Sequence, residues 1–441
     1  MEIYSKPAAA LESVLNMKLM KDVGVHLEDK KESRIFFAFI WVMYSLVYTT
    51  KMCFSASLVF IKQEGILSLT EVSVILALFY TVYAPLQVVG GMVADKYSPE
   101  RMITVGLVGS AVANAVIFFN QSYLVMLVTW TFNAVIQFAL WPSVFKILSS
   151  QLVRSDRPKM VFYISFSGSF GSVVASLVAA VIGENWRYNF AISAVILAFF
   201  AIALQFFCHH LDPILKKDRA DSESIPTKQT AAENSMSTGK LFLISGFFPI
   251  VAAVFFRTIV ENGSKSFAAT MLVDMYPSSV SGEIGSILNV VVLIGGIMGT
   301  VLVKKVLYPR IIKNEIVGYF IMLLLALPFS AILCRIGDER LPVWVVVVSL
   351  TASVLLLNAT HLLTSYYNMN FVRFGKNGTA SGIINAAASA AIAVQYIVFA
   401  PVAETLGWRT VAAIWMGIVI LTAICILLAL RPVKRFKKEY N

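Results

Sequence analysis

Residues 35–60 read IFFAFIWVMYSLVYTTKMCFSASLVF, a run of 26 residues with one full charge, Lys51. At about 1.5 Å per residue, a helix of this length crosses the hydrocarbon core of a bilayer, which is about 30 Å thick. A charged side chain at that depth raises the free energy of insertion by on the order of 3 kcal/mol, so it is expected to face a cavity or a partner rather than lipid. The stretch therefore predicts a membrane helix with a functional cation inside it.

The composition of the whole chain is that of a membrane protein. Of its 441 residues, 58% are hydrophobic and 14% are charged, whereas a soluble domain carries about 25% charged residues. The net charge of +11 comes from basic residues scattered between apolar runs. This pattern indicates the positive-inside bias of membrane loops rather than a nucleic-acid partner.

The sequence indicates no cofactor, metal or catalytic site. Its four cysteines are far apart, in or beside apolar runs, so they predict neither disulfides nor a metal site. No GxxxxGK[ST] phosphate loop occurs, and no nucleophile–base pair stands out. We therefore expect a process driven by gradients, without enzyme activity.

About twelve apolar segments follow one another in two groups of six, separated by a polar stretch. Segments of this length are typical of membrane helices. The predicted fold is an all-α membrane protein with twelve transmembrane helices in two six-helix bundles. Its predicted parts are an N-terminal segment (1–34), a first bundle (35–208), a linker (209–240), a second bundle (241–430) and a basic tail (431–441).

Lysine and arginine in the predicted loops set the orientation. Loops on the side of the termini and the linker hold eleven of them, and loops on the opposite side hold six. Because short cytoplasmic loops are enriched in Lys and Arg, we expect both termini, the linker and the tail in the cytoplasm. The expected setting is a monomer in the lipid bilayer of a bacterial cytoplasmic membrane.

Two groups of six helices suggest half-bundles related by an axis along the membrane normal. Such a design places a substrate between the halves at mid-depth. Rocking of one half against the other would expose that substrate to each side of the membrane in turn.

The loop after the second apolar segment carries a charged motif, GGMVADKYSPERM, at residues 90–102. Gly91 permits close helix packing, and we expect Asp95, Lys96 and Arg101 to form a charged latch at the cytoplasmic end. The motif resembles the G-xxx-D-[RK] signature of the major facilitator superfamily. Its variant D-K-x-S-P-x-R is similar to the branch that exchanges organic phosphates for inorganic phosphate, so the resemblance implies that fold and a gating role for these residues.

The fourth segment contains FNAVIQFALWPSVFK at residues 132–146. Asn133, Gln137 and Trp141 fall at i, i+4 and i+8, so they share one helix face. A face with two amides and an indole N–H suits a cavity wall, although an amide stripe that joins two helices is the alternative. The pattern resembles that of glycerol-phosphate and hexose-phosphate antiporters.

The first segment adds a third match to those antiporters, which carry Y-xxx-R-x-N-F near the end of their first helix. Here the corresponding residues are Tyr48, Lys51, Cys53 and Phe54. Lysine can pair with phosphate, but as a point charge rather than as a bidentate fork, so its presence leaves the identity of the substrate open. The alternative for Lys51 is an ammonium that extends to the outer headgroups.

A second cation lies inside the apolar run FFPIVAAVFFRTIVENGSKSFAATML at residues 247–272. The resemblance implies that this helix supplies a second phosphate-binding arginine, and Arg257 is the candidate. Glu261 lies at i+4 from it, so a buried ion pair that binds no substrate stays open. An alignment on the downstream Asn-Gly would instead place Glu261 at the binding position, and Lys265 is a weaker candidate.

One histidine, His361, lies inside a later apolar segment. It could bind substrate or carry a proton, and a hydrogen-bonded structural role is the alternative.

The resemblance implies a secondary transporter that exchanges a phosphorylated small organic anion, such as a sugar phosphate or glycerol phosphate, for inorganic phosphate. Lys51 and Arg257 would hold the phosphate, and Asn133, Gln137 and Trp141 would contact the organic part. Two other functions stay open. One is transport of another small organic anion such as a carboxylate, with proton coupling through Glu261 or His361. The other is a membrane sensor that binds its ligand without transporting it.

Overall fold

A computed structural model describes residues 27–153, 155–221, 237–308, 310–338, 341–374 and 376–440, and every regular element in this part of the chain is helical. The first half contains eight α-helices: α1 (Lys30–Glu64), α2 (Leu69–Lys96), α3 (Pro99–Phe119), α4 (Tyr123–Gln137), α5 (Leu140–Ser150), α6 (Arg157–Ile164), α7 (Ser167–Ile182) and α8 (Arg187–Asp221). The second half contains seven: α9 (Thr238–Ile244), α10 (Phe247–Ser266), α11 (Ala268–Met275), α12 (Gly282–Leu302), α13 (Glu315–Leu333), α14 (Val343–Asn368) and α15 (Asn377–Tyr440).

Short polar signals set where the first helices begin and end. The Asp29 carboxylate accepts hydrogen bonds from two backbone N–H groups in the first turn of α1. The helix ends at Gly65, whose φ of 74° is a conformation that glycine adopts without strain. Ser68 and Glu71 then form a reciprocal capping box that starts α2.

The described helices account for the twelve predicted spans. Ten stretches of the described chain are long and apolar enough to cross a membrane, two of which combine shorter helices (α4 with α5, and α6 with α7), and α9 with α10 forms one further span that bends by 74°. The 64-residue α15 contains a break at Gly407 that divides it into two spans. The prediction of an all-α membrane fold is confirmed.

The predicted linker is more helical than its polar sequence suggested. Helix α8 continues to Asp221 and α9 begins at Thr238, so both helices enter the range 209–240. Helix α15 likewise continues through the predicted tail to Tyr440. Charged residues are good helix formers, so a change in polarity marks the end of the apolar span and not the end of the helix. Residues 1–26 and 222–236 of the predicted N-terminal segment and linker lie outside the described residues.

The helices pack in two groups that meet along two seams. In the first half α1 contacts α7 and α8, and α3 contacts α4 and α8. In the second half α10 contacts α15, and α14 contacts α12 and α13. Between the halves, α2 lies against α15 and α7 lies against α12. These two seams enclose the space in which the sequence predicts the substrate site.

Glycine lets helices approach closely within each half. A Cβ atom on Gly171 of α7 would meet the carbonyl oxygen of Ser45 on α1. A Cβ atom on Gly299 of α12 would meet the carbonyl oxygen of Leu355 on α14. In a membrane, helices associate through such close backbone packing because lipid supplies no hydrophobic driving force.

The Gly299 contact predicts a measurable loss of stability. The substitution Gly299→Ala should lower the thermal unfolding midpoint of the purified protein, because the added methyl group meets backbone and overpacking costs about 1–3 kcal/mol. The matched control is Gly417→Ala, since a Cβ atom there meets nothing within 4 Å. Equal midpoints for the two variants would contradict the packing argument.

Candidate functional site

A cavity of about 530 Å³ lies between the two halves. The lysine, glutamate and histidine side chains on its wall are Lys51 from α1, Glu261 and Lys265 from α10, and His361 from α14. Most of the remaining polar wall consists of amides and hydroxyls, among them Gln87, Asn262, Asn289, Asn358, Asn385 and Ser389. The volume is in the range of small-molecule sites, which is about 300–1,000 Å³.

Lys51 lies in a cage of aromatic rings. Its Nζ is 3.8 Å from the ring centroid of Tyr83, 5.0 Å from that of Phe79, 5.4 Å from that of Tyr80 and 5.6 Å from that of Tyr48. Three of these rings come from α2, so the α1–α2 hairpin builds the cage. The ammonium therefore does not extend to the headgroups.

The cage stabilises the ammonium without neutralising it. A cation over an aromatic face gains about 0.5–1 kcal/mol per ring, so four rings offset much of the roughly 3 kcal/mol that a charge costs in a membrane helix. Among the described residues, no carboxylate forms an ion pair with Lys51. The side chain is 7% exposed overall and lines the cavity. Its charge remains available to an anion.

The cations of the second half are arranged differently, around Glu261. The Glu261 carboxylate forms ion pairs with Arg257 and with Lys265, each four residues away on α10. Its Oε2 also lies 3.1 Å from Nε2 of His361 on α14. Arg257 Nη2 donates to the Thr258 hydroxyl and lies 3.4 Å from Nδ1 of His361.

This arrangement corrects the expectation that Arg257 faces the cavity. Its side chain is 1% exposed and lies behind Glu261, which forms the cavity surface at that point. The i+4 ion pair that the sequence left open is the one the structure contains. Lys265, the weaker candidate, is the cation of α10 that lines the cavity, with a side chain that is 22% exposed.

The formal charges near the cavity do not cancel. Lys51, Lys265 and Arg257 contribute three positive charges, and Glu261 contributes one negative charge. The described wall and the Arg257 behind it therefore carry two net positive charges together when His361 is neutral. In a site of low dielectric constant such an excess attracts anions strongly.

The predicted face of the fourth segment divides between two roles. Trp141 lines the cavity and packs on Tyr44, with ring centroids 5.2 Å apart. Asn133 and Gln137 are buried inside the first half instead. Both bond to the Ser110 hydroxyl of α3, and Gln137 also donates to Asn133. This corrects the expectation that the amides contact substrate: the helix breaks between α4 and α5, so the i+8 spacing does not keep Trp141 on their face.

The latch motif is only partly described. Helix α2 ends at Lys96 and α3 begins at Pro99, but the side chains of Asp95 and Lys96 and the surroundings of Gly91 lie outside the described part. Arg101 is half-buried at the start of α3. Its neighbour Glu100 is 2% exposed and accepts a hydrogen bond from Gln151. The gating role of this motif stays a prediction.

Helix α2 supplies a part of the site that the sequence motifs did not predict. Tyr80, Tyr83 and Gln87 all line the cavity. Their spacing of three and four residues places them on one face of an otherwise apolar helix. That periodicity of polar aromatic and amide groups is the signal that could have revealed them.

Contacts between the halves close the end of the cavity opposite the described chain ends. Lys62 donates to both carboxylate oxygens of Asp274 at 2.6 Å. The Glu404 carboxylate accepts from the backbone N–H of Leu69 at 2.8 Å, at the first residue of α2. The Tyr396 hydroxyl lies 3.3 Å from that of Ser55 and donates to that of Ser266 at 2.9 Å. The bond between Tyr396 and Ser266 lies within the second half, so opening this end requires only the bonds between the halves to break.

The Lys62–Asp274 pair predicts a change in access to the cavity. The substitution Asp274→Asn should raise the rate at which a membrane-impermeant maleimide, added on the Lys62 side, labels a cysteine introduced by Ser55→Cys. The neutral amide no longer holds the Lys62 ammonium, so the closed arrangement loses part of its free energy. Asp338→Asn is the control, because Asp338 pairs with Arg335 in its own loop. Equal labelling rates in the two backgrounds would show that the pair does not hold this end closed.

Two curated relatives match part of the chain. The chain is 25% identical over 189 residues to the membrane sensor protein UhpC of Escherichia coli (strain K12), covering 42% of this chain and 41% of that protein. It is 23% identical over 253 residues to the putative glycerol-3-phosphate transporter 2 of Arabidopsis thaliana, covering 51% of this chain and 49% of that protein. The alignments thus span less than half the length of these relatives.

The fold matches that of solved membrane transporters. A bacterial homologue of the human lysosomal transporter Spinster, in its inward-facing and unoccupied conformation, superposes with a TM-score of 0.69 at 16% identity, over 92% of this chain and 99% of that chain. At this identity the likeness concerns the fold alone. The family model described as Major Facilitator Superfamily matches residues 40–396. The chain, an integral membrane protein, belongs to the Major Facilitator Superfamily.

Proposed function

We propose that this protein is a secondary active transporter that exchanges a phosphorylated small organic anion for inorganic phosphate by alternating access. The observation that carries the proposal is the Lys51 ammonium, which lines the cavity between the halves within a cage of rings and has no described carboxylate partner. The putative glycerol-3-phosphate transporter named above is consistent with a small phosphorylated ligand.

The charge balance of the cavity supports exchange rather than simple uniport. With two net positive charges on its wall and directly behind it, an empty cavity resists closure because the cations repel each other in a low dielectric. A phosphate dianion removes this repulsion and lets the halves come together around it. A carrier of this kind crosses the membrane readily only when it is loaded, so each outward passage of phosphate accompanies an inward passage of substrate.

The proposed binding roles follow the contacts of the described wall. Lys51 holds the phosphate from the first half, and Lys265 faces the same cavity from the second half. Arg257 does not face the cavity. It forms an ion pair with Glu261, which orients that carboxylate, and its charge adds to the positive potential of the cavity. Tyr48 and Trp141, with the amides and hydroxyls of the wall, are suited to a hydroxylated organic part. We place the protein in a bacterial cytoplasmic membrane as a monomer, with both termini in the cytoplasm.

The decisive variant is Lys51→Gln. In proteoliposomes preloaded with phosphate, it should lower the rate of labelled phosphate exchange at least about tenfold, since loss of one charge-assisted bond to phosphate costs about 1.5–3 kcal/mol. Lys51→Arg should retain part of the rate because it keeps the charge. The control is Arg335→Gln, which removes one positive charge from an exposed loop. Undiminished exchange by folded Lys51→Gln protein would exclude this role for Lys51.

A second candidate is a proton-coupled transporter of another small anion, such as a carboxylate. The contact between His361 and Glu261 favours it, because an imidazole beside a carboxylate in the cavity wall can accept and release a proton. In this case a pH gradient should drive anion uptake without phosphate on the opposite side, and His361→Gln should abolish the effect of the gradient. If the rate of exchange is the same with and without a pH gradient, the result supports phosphate antiport.

The relatedness to a membrane sensor adds a third arm to the test. A sensor would bind the organic phosphate, with a raised thermal unfolding midpoint, and show no flux in the same proteoliposomes. Binding together with flux assigns transport.

A further inference from the structure

The last part of α15 carries four basic residues on one helix face. Arg431, Lys434, Arg435 and Lys438 follow a spacing of i, i+3, i+4 and i+7, and all four are exposed. We name this set the basic stripe. No ion pair involves any of them within the described residues, whereas their neighbour Lys437 pairs with Glu315 at 2.5 Å.

The stripe continues the surface that α15 turns toward lipid. Ile420, Ile424, Leu427 and Leu428 are 45%, 47%, 46% and 63% exposed, and they precede the stripe on the same face at steps of three and four residues. Large apolar side chains exposed at this level face lipid tails. The apolar face ends at Leu428, and the first basic residue of the stripe is Arg431.

The depth of the stripe matches the headgroup layer. Along the helix axis, Arg431 lies about 4–5 Å beyond Leu428, and Lys434 and Arg435 lie about 9–10 Å beyond it. The headgroup layer on each side of the hydrocarbon core is about 5–8 Å thick, and long basic side chains can extend toward it. The backbone of Arg431 therefore lies within this layer, and the side chains of Lys434 and Arg435 can extend back into it from just outside. Lys438, about 15 Å beyond Leu428, lies on the aqueous side.

The opposite face holds this part of α15 rigidly against the bundle. Val433 and Phe436 are 1% and 2% exposed, and the Phe436 ring lies 5.9 Å from that of Phe374. The pair between Lys437 and Glu315, whose side chain is 1% exposed, ties the helix to the start of α13. The stripe is thus a fixed surface rather than a loose charged tail.

From these observations we infer that the basic stripe of α15 is a binding surface for anionic phospholipid headgroups. Four exposed cations on one rigid face, none in an ion pair with a described residue and three within reach of the headgroup layer, give the charge complementarity that a negatively charged lipid surface requires. The inference is independent of the substrate of the central cavity.

The test compares the purified full-length protein with Lys434→Glu/Arg435→Glu in a neutral detergent. Short-chain phosphatidylglycerol should raise the thermal unfolding midpoint of the unaltered protein more than phosphatidylcholine of the same chain length does. The double variant should lose most of that difference. The control is Lys30→Glu/Lys31→Glu, which changes the charge equally at two exposed positions in the first turn of α1 and should keep the difference. A tenfold rise in NaCl should weaken the effect, because salt screens exposed charges.

Three results would overturn the inference. The first is an unchanged phosphatidylglycerol shift in the double variant. The second is an equal shift with phosphatidylcholine, which would indicate apolar contact only. The third is a shift with inorganic phosphate that the double variant abolishes, which would make the stripe a site for free phosphate. If the double variant does not fold, Lys434→Gln/Arg435→Gln takes its place in the same comparison.

Discussion

The site depends on the Lys51 ammonium, which lies inside a membrane helix and has no counter-ion among the described residues. At Lys51 the four rings of the cage stabilise the charge, and among the described residues none cancels it. The need to stabilise this charge explains why α2, a membrane helix, carries the aromatic rings of Phe79, Tyr80 and Tyr83 on the side that contacts Lys51. It also explains why the cavity lies beside this cage, between the halves. The cation is tolerated in the protein and remains attractive to a ligand.

The two halves solve the same problem in different ways. In the first half, Lys51 is held by ring faces. In the second, Arg257 is held by a carboxylate, and Glu261 in turn holds Lys265 and contacts His361. A buried carboxylate between two cations gives each of them a charged partner and still leaves one positive charge in excess. The cavity thus has a cation without a described carboxylate partner on one side and a cluster of paired charges on the other. This arrangement supports the proposed binding of an anion.

The fold could be predicted from the sequence because apolar length is a direct consequence of bilayer thickness. The site could be predicted only in part. The place of Lys51 in the cavity wall could be predicted because a single charge in a long apolar run is costly wherever it lies, and its binding role stays a prediction. Arg257 was misplaced because equal depth along the sequence does not say on which side of a helix a side chain lies. The prediction that Asn133 and Gln137 face the cavity with Trp141 was wrong for a related reason. The helix breaks between α4 and α5, and the spacing of residues in the sequence does not reveal this break. The cage depends on contacts between α1 and α2, which neither segment reveals alone.

The claim that Lys51 is an accessible cation at the ligand site can be tested by its own chemistry. A small water-soluble reagent that reacts with amines should modify the Lys51 side chain in the purified protein. Mass spectrometry of the peptide that contains Lys51 measures the modification. The account predicts that inorganic phosphate or an organic phosphate slows this modification, whereas an uncharged sugar does not. Modification at the same rate with and without phosphate would contradict the account, because the anion would then be bound elsewhere or not at all.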